Sequence, residues 1–211
     1  ENSFATQIDA DNTAIYQAFK QSLDSYTVIT DSTWQALKSV TQIKRLEKNQ
    51  ILFAAGAIPS SFTWVFEGLI RGFSCDDKGN EYNKKFFDEG QFPGSMSALL
   101  TNKPSTLGFD ALEKTVLIEI DFLAYRRLLL ECDDLKLFQI YYLEKNWLLD
   151  KDERETSLVQ EDATARYQRF LSEFPHLVAR LPQYHIASHL GITPTQLSRI
   201  RKNSSINQTD K

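Results

Sequence analysis

Apolar side chains recur at helical spacing toward both ends of the chain, and between them they fall into short, closely set runs. Ile15, Phe19 and Leu23 are four residues apart, which puts them on one face of a helix. Trp34 and Leu37 repeat that pattern behind a cap at Asp31 or Ser32, so two short helices are expected at the start. From Val40 to Ile120 the texture changes to runs of Phe, Val and Ile punctuated by Gly56, Gly68, Gly72, Gly79, Gly90 and Gly94. That rhythm predicts a domain of many antiparallel strands. The polar insert Asp76-Asp77-Lys78-Gly79-Asn80 separates two such runs and predicts a hairpin loop.

Between Asp121 and Gln160 helix breakers give out, and Leu135, Phe138, Tyr142 and Leu149 recur at helical spacing, so one long helix is expected. Leu137, Ile140, Tyr141, Trp147 and Leu148 lie on other sides of that cylinder, where a single neighbouring domain does not reach. The expected second cover is the same helix of another copy, giving an isologous two-fold dimer. The alternative is a helix buried inside one monomer. The charged run Asp152-Glu153-Arg154-Glu155 marks a solvated exit.

The final block reads Ala163 to Phe174, a break at Pro175, Leu177 to Leu181, then Pro182. Two segments follow, Gln183 to Leu190 and Thr193 to about Lys202, joined at Gly191 with the spacing of a helix-turn-helix. Ala187 is small where two helices cross, and Gly191 permits a left-handed turn. Ile186, Leu190, Ile192, Leu197 and Ile200 can share a miniature core. Thr193 is a cap for the second helix, and Pro194 suits its first position. Polar surface is then left at Thr193, Thr195, Gln196, Ser198, Arg199, Arg201 and Lys202, the side chains such a helix presents to a major groove. Arg199 is the expected guanine reader and Gln196 a base or phosphate contact, while Arg201 and Lys202 suit phosphate. The competing reading is an ordinary helical hairpin with a solvated basic face. His185 and His189 stand four apart but lack a third metal ligand nearby, so they are expected to face solvent or phosphate.

Charge strengthens the nucleic-acid reading. The total is −4, yet from Glu161 onward seven basic side chains oppose four acidic ones, leaving that end at +3 and the rest at −7. A basic end on an acidic body suits contact with phosphates, and double-stranded DNA is the expected partner. Cys75 and Cys132 form no CxxC pair, so zinc and thiol redox motifs are lacking and both are expected to be reduced and structural. Charged or polar groups interrupt every apolar run before the roughly 20 residues of a membrane span, and the first residues lack a signal peptide's pattern. A cytoplasmic protein with no membrane partner is expected. No GxSxG, HExxH or P-loop occurs, so neither an enzyme nor catalytic or metal residues are expected.

Three further stretches carry a family likeness: Leu46-Glu47-Lys48-Asn49-Gln50-Ile51-Leu52-Phe53 with Gly56; Phe66-Glu67-Gly68-Leu69-Ile70-Arg71; and Phe86-Phe87-Asp88-Glu89-Gly90-Gln91-Phe92-Pro93-Gly94 with Ala111-Leu112-Glu113. In that order, before a helix-turn-helix, they resemble the Crp/Fnr superfamily of transcription regulators. The resemblance implies an α+β protein. Its parts would be an N-terminal double-stranded β-helix (jelly-roll, cyclic-nucleotide-binding-like) domain over 1–125, a long dimerisation helix over 126–160 and a C-terminal winged helix-turn-helix over 161–211. It also implies an effector pocket around Gly94, Ser95, Met96, Ser105 and Thr106.

Members that bind cyclic nucleotides use a Glu for the ribose and, ten residues later, an Arg for the cyclic phosphate; Ser95 and Ser105 stand at the corresponding positions here. A serine supplies neither the charge nor the fork of a guanidinium. Losing that contact to a buried phosphate costs on the order of 2–5 kcal/mol, roughly 30-fold to several thousandfold in affinity. Cyclic AMP is therefore not the expected ligand, no cofactor is expected, and any small-molecule effector is of another kind. Two distant cysteines do not make an iron–sulfur site, and the β domain has no histidine for haem, which leaves Cys75 alone as an axial ligand, so neither group is expected. Members with an Arg-Glu pair early in the recognition helix have Pro194 and Thr195 here, whereas their later Arg matches Arg199. The implied function is a homodimeric, sequence-specific DNA-binding regulator; the alternative is a cyclic-nucleotide-binding signalling module acting through protein partners.

Overall fold

The computed structural model describes residues 2–149 and 161–209, and the side chains of 11–149 and 161–203. The chain divides into two compact units, one running to Gly72 and again from Phe86 to Leu148, the other gathering residues 73–85 and the C-terminal helices.

The first unit opens with α1 (Asn2–Asp24) and α2 (Asp31–Lys38). Ile15, Phe19 and Leu23 are buried as their spacing requires, although α1, at 23 residues, is longer than the short helix expected. The cap of α2 is Thr30, not Asp31 or Ser32: its Oγ1 accepts the N–H of Thr33 at 3.4 Å. The reason is distant in sequence. Asp134 takes both the N–H and the hydroxyl of Thr30, each at 2.9 Å, and holds that residue extended, as a cap must be.

Seven strands follow: β1 (Thr41–Leu46), β2 (Ile51–Phe53), β3 (Ser61–Glu67), β4 (Ile70–Cys75), β5 (Glu81–Phe87), β6 (Gly108–Ala111) and β7 (Thr115–Asp121), with α3 (Met96–Thr101) between β5 and β6. They form two sheets, ordered β1-β7-β3 and β2-β6-β4-β5, which is the expected β-roll. Alternation along β7 separates two cores. Leu117 faces Leu46, Val65, Ile70 and Phe109 inside the roll, whereas Ile118 and Ile120 face the helices with Phe19, Trp34 and Trp64. Across β4 and β6, Arg71 grips Asp110 with two parallel bonds, Nε to Oδ1 at 2.8 Å and Nη2 to Oδ2 at 2.9 Å.

The single long helix expected over 126–160 is not what forms. Helix α4 (Phe122–Glu131) stops at Cys132, whose φ −113 and ψ 108 are extended, and α5 (Asp133–Leu143) starts afresh before a π-helical turn at Glu144–Leu148. Residues 150–160 of the expected helix lie outside the described residues. The interruption forfeits a backbone hydrogen bond or two, about 0.5–1.5 kcal/mol each. It lets Leu135 and Phe138 join the same core as Tyr125, at about 1.5–3 kcal/mol for each large side chain buried. The Tyr125 hydroxyl then donates to Gln139 Oε1 at 2.7 Å, and Asp134 reaches Thr30 and Thr33 of the α2 cap. Burial pushes the Tyr125 phenol far above its ordinary range, with the nearby Tyr142 adding to the effect.

The second unit contains the tip of the β4–β5 hairpin together with α6 (Ala163–Glu173), α7 (Pro175–Val178), α8 (Gln183–Leu190) and α9 (Pro194–Thr209). The hairpin loop lies where its polar sequence predicts: Asp76 Oδ1 accepts the N–H groups of Lys78 and Asn80 at 2.9 and 2.8 Å. Asp162 caps α6 through the N–H of Ala165 at 2.8 Å. Among the described residues of this unit the only strand segments are those of the β4–β5 hairpin, and no wing strand accompanies α6 to α9. Pro175 instead starts the short helix α7, a position its fixed φ favours, and α9 runs on past Lys202.

Candidate nucleic-acid interface and roll cavity

The turn between α8 and α9 follows from its residues. Gly191 sits at φ 67 and ψ 33, the left-handed conformation that ends α8, and the N–H of Ile192 closes on the carbonyl of Ala187 at 3.0 Å. Thr193 Oγ1 then accepts the N–H of Gln196 at 3.1 Å, while Gln196 Oε1 reaches back to the N–H of Thr193 at 2.9 Å. This reciprocal capping box fixes where α9 begins. Ile186, Ala187, Leu190 and Leu197 are buried and Ile192 and Ile200 half-buried, the miniature core anticipated from their spacing.

Burying Leu197 turns the rest of the helix start outward. Thr193, Thr195, Gln196, Ser198, Arg199, Arg201 and Lys202 are all exposed. The Gln196 carbonyl oxygen is committed to the cap, which leaves its NH₂ group as the part it can offer elsewhere.

The two histidines depart from expectation. His185 is buried and His189 half-buried, and both meet Asn83 on β5 rather than solvent: Asn83 Nδ2 lies 3.0 Å from His185 Nδ1, and His189 Nδ1 donates to the Asn83 carbonyl at 2.9 Å. Ser188 joins them, its hydroxyl donating to the Glu81 carbonyl at 2.8 Å and accepting the N–H of Asn83 at 3.0 Å. Hydrogen-bond demand from a strand tip, invisible in the local sequence, draws these side chains inward. The cysteines also separate: Cys132 is half-buried at the helix break, whereas Cys75 is exposed on the hairpin and takes no part in a core.

The first unit holds a cavity of about 270 Å³ lined by residues of β1, β2, β3 and β7 and the loops between them. Leu52, Phe53 and Ile58 supply its apolar wall, and Lys44, Ser61, Ser95, Ser105 and Glu119 its polar one. Of the five expected effector residues only Ser95 and Ser105 line it. Thr106 is exposed, Met96 packs into the helical core, and Gly94 is pressed against Phe62, 2.8 Å from where a Cβ would stand. Ser105 is closed upon itself: its hydroxyl donates to the Leu107 carbonyl at 2.8 Å and accepts the Leu107 N–H at 3.1 Å. Its backbone is tied down as well, since Gly56 N–H donates to the Ser105 carbonyl at 2.7 Å and Ser105 N–H to that of Ala57 at 2.8 Å.

Lys44 and Glu119 were not foreseen. Gln42 pairs directly with Glu119 across β1 and β7, so Gln42, Lys44 and Glu119 share a face once that register is set. Glu119 accepts from Ser61 at 2.8 Å and Gln42 at 2.7 Å, with Lys44 Nζ at 3.4 Å. Burial raises its pKa, but the bonds from Ser61 and Gln42 and the Lys44 charge outweigh that and hold the carboxyl below its ordinary value.

Residues 43–132 match the family described as the cyclic nucleotide-binding domain, the segment that forms the roll and α4. Among solved structures, the chain is similar to FixK2 from Bradyrhizobium japonicum, with 15% identity over 80% of this chain and 86% of that one and a TM-score of 0.67. The chain has the Crp/Fnr fold. A second Crp/Fnr likeness is to the c-di-GMP responsive global regulator CLP of Xanthomonas campestris, at 16% identity over 85% of this chain and 93% of that one, TM-score 0.66. A third is to DNR from Pseudomonas aeruginosa, at 22% identity over 83% and 80% of the two chains, TM-score 0.51. No curated protein matches in sequence. Among the described residues, no helix is long and apolar enough to cross a membrane.

Proposed function

We propose that this chain is a dimeric, sequence-specific DNA-binding transcription regulator, acting in the cytoplasm, whose roll does not take cyclic AMP. The observation that carries the reading is the exposed face of α9, where Arg199 stands among polar side chains one turn beyond a capped helix start while Leu197 anchors the opposite side. A guanidinium so placed can give a guanine its paired donors, and Arg201 and Lys202 extend the positive charge toward phosphates. The fold shared with FixK2, CLP and DNR agrees with this reading.

Dimerisation draws support from α5. Leu135, Phe138 and Tyr142 face the core, while Leu137, Ile140 and Tyr141 are exposed on another side, continuing to Trp147 and Leu148. An apolar stripe of that length beside a covered one suits a second copy of the same helix. The absence of cyclic AMP draws support from Ser105, whose polar groups are all occupied where a phosphate-binding Arg would be needed.

Selecting bound duplexes from a random library and repeating the binding with Arg199→Ala tests the reading. We expect a loss of about 1–3 kcal/mol confined to one base position of each half-site, whereas Lys202→Ala weakens all duplexes alike and lowers the salt slope by about one. Specific binding left intact by Arg199→Ala would overturn it.

A further inference from the structure

Helix α8 is held on two sides. Ile186, Ala187 and Leu190 turn one face into the small core shared with α9, while His185, Ser188 and His189 turn the opposite face to the tip of the β4–β5 hairpin. Strand alternation singles out one side chain of β5 for that contact: Asn83 is 0% exposed between the exposed Tyr82 and Lys84. A buried amide has no water at hand to take a lost partner's place, so parting the tip from α8 breaks bonds that nothing nearby replaces.

The hairpin supplies the only strand segments among the described residues of the second unit, yet its charge does not suit the phosphate contact of a wing. Its loop exposes Asp76 and Asp77 against a single cation, Lys78. Two carboxylates to one ammonium repel a polyanion. What the tip does is brace α8, which the left-handed turn at Gly191 and the capping box of Thr193 and Gln196 join tightly to the helix presenting Arg199. A reader helix free to rock must be ordered when it binds, and that cost is subtracted from the affinity for every sequence alike.

We infer that Asn83 is a positioning residue for DNA binding: from the strand tip it holds α8, and through the capped turn the start of α9, in the pose that meets the duplex. It touches no DNA itself. This rests on the DNA-binding reading, and binding by the parent chain reports on that reading separately.

Fluorescence anisotropy of the full chain with duplexes that the parent selects tests it, together with hydrogen exchange at the Ile192 N–H, whose bond to the Ala187 carbonyl reports the turn itself. Asn83→Ala should weaken binding at least tenfold, with base preferences at every position and Ile192 protection as in the parent. Ser188→Ala removes the hydroxyl that bridges the Glu81 carbonyl and the Asn83 N–H, and should weaken binding at least threefold in the same way. The second variant decides if the first loses Ile192 protection. Lys78→Ala should leave affinity and salt dependence as they were. Parental affinity in Asn83→Ala and Ser188→Ala, or losses confined to one base position, would overturn the inference. Weaker binding with a lower salt slope in Lys78→Ala would overturn it too, by making the tip a phosphate contact. A parent that selects no duplex defeats the DNA-binding reading first and this inference with it.

Discussion

Asn83 Nδ2 lies 3.0 Å from Nδ1 of His185 and 3.1 Å from the carbonyl oxygen of the same residue. A carbonyl only accepts, so the amide nitrogen faces His185 and the ring nitrogen beside it must be an acceptor without a proton. The Asn83 carbonyl, for the same reason, requires a proton on Nδ1 of His189. One fully buried asparagine therefore sets opposite tautomers on two histidines a helical turn apart. Nitrogen-15 spectra of the imidazoles at neutral pH should show Nδ1 bare in His185 and protonated in His189. A protonated Nδ1 on His185 would mean that the Asn83 amide presents its oxygen, not its nitrogen, to that ring.

A second prediction concerns the turn from β3 to β4. Gly68 has φ +107, and a Cβ there would lie 2.7 Å from both the Lys114 carbonyl oxygen and the Thr115 Cα. These are backbone atoms of the neighbouring turn, which cannot swing aside as a side-chain tip can. Gly68→Ala should cost about 1–3 kcal/mol from its backbone conformation alone, and more from the overlap. Urea unfolding measures the loss directly. A midpoint equal to that of the parent would show that the β6–β7 turn yields freely.

The parts that were legible in the sequence share one property, and the parts that were not share its opposite. The helix-turn-helix is specified within about twenty residues: Gly191, Thr193, Pro194 and the apolar spacing act on one another directly, so its capped helix and outward Arg199 could be anticipated. The hairpin at Asp76 to Asn80 is likewise a local matter. The break at Cys132 lies among residues that suit a helix, and what accompanies it is the contact of Asp134 with Thr30 and Thr33, more than a hundred positions away. The same contact chose Thr30 as the cap over its neighbours. Lys44 and Glu119 belong to one cavity only through the register of β1 on β7, and His185 turns inward only because Asn83 stands opposite. Periodicity reports which face of an element is apolar; it does not report which distant polar group will claim a side chain.

Acid should expose the Glu119 network. Its folded-state pKa is lowered, so the stability it contributes is fully present above its unfolded value, near 4.5, and is lost as pH falls through the folded value. Asp24 and Asp134 are lowered as well, each held down by hydrogen bonds that outweigh its burial, so acid sensitivity will not vanish when one group is changed. The informative quantity is a difference. Glu119→Gln should be less stable than the parent at pH 7, and the gap should narrow as pH drops below about 4.5, because the parent alone has this carboxylate to protonate. A gap that stays constant from pH 7 to pH 3 in thermal unfolding would show that the Glu119 charge contributes nothing to the fold.

The last prediction separates the two covers available to α5. Ile140 is 48% exposed, with Leu137 and Tyr141 beside it at 42% and 44%, while Leu135 and Phe138 on the other side are at 0% and 2%. A charge placed at 140 therefore enters solvent if the chain stays a monomer and enters an apolar contact if two copies meet there. In the first case Ile140→Glu should be near neutral, within about 0.5 kcal/mol, as surface substitutions usually are. In the second it buries an unpaired carboxylate at the two-fold axis next to its own symmetry mate, which should cost several kcal/mol and dissociate the dimer at micromolar protein. Sedimentation equilibrium of parent and variant decides between them. We expect a dimeric parent, a monomeric Ile140→Glu chain with unchanged helical content, and loss of binding to a palindromic site with weak binding to a half-site retained. A parent that sediments as a monomer at every concentration up to about 100 μM would remove this stripe as the seat of a dimer and with it the two-fold arrangement of Arg199 side chains.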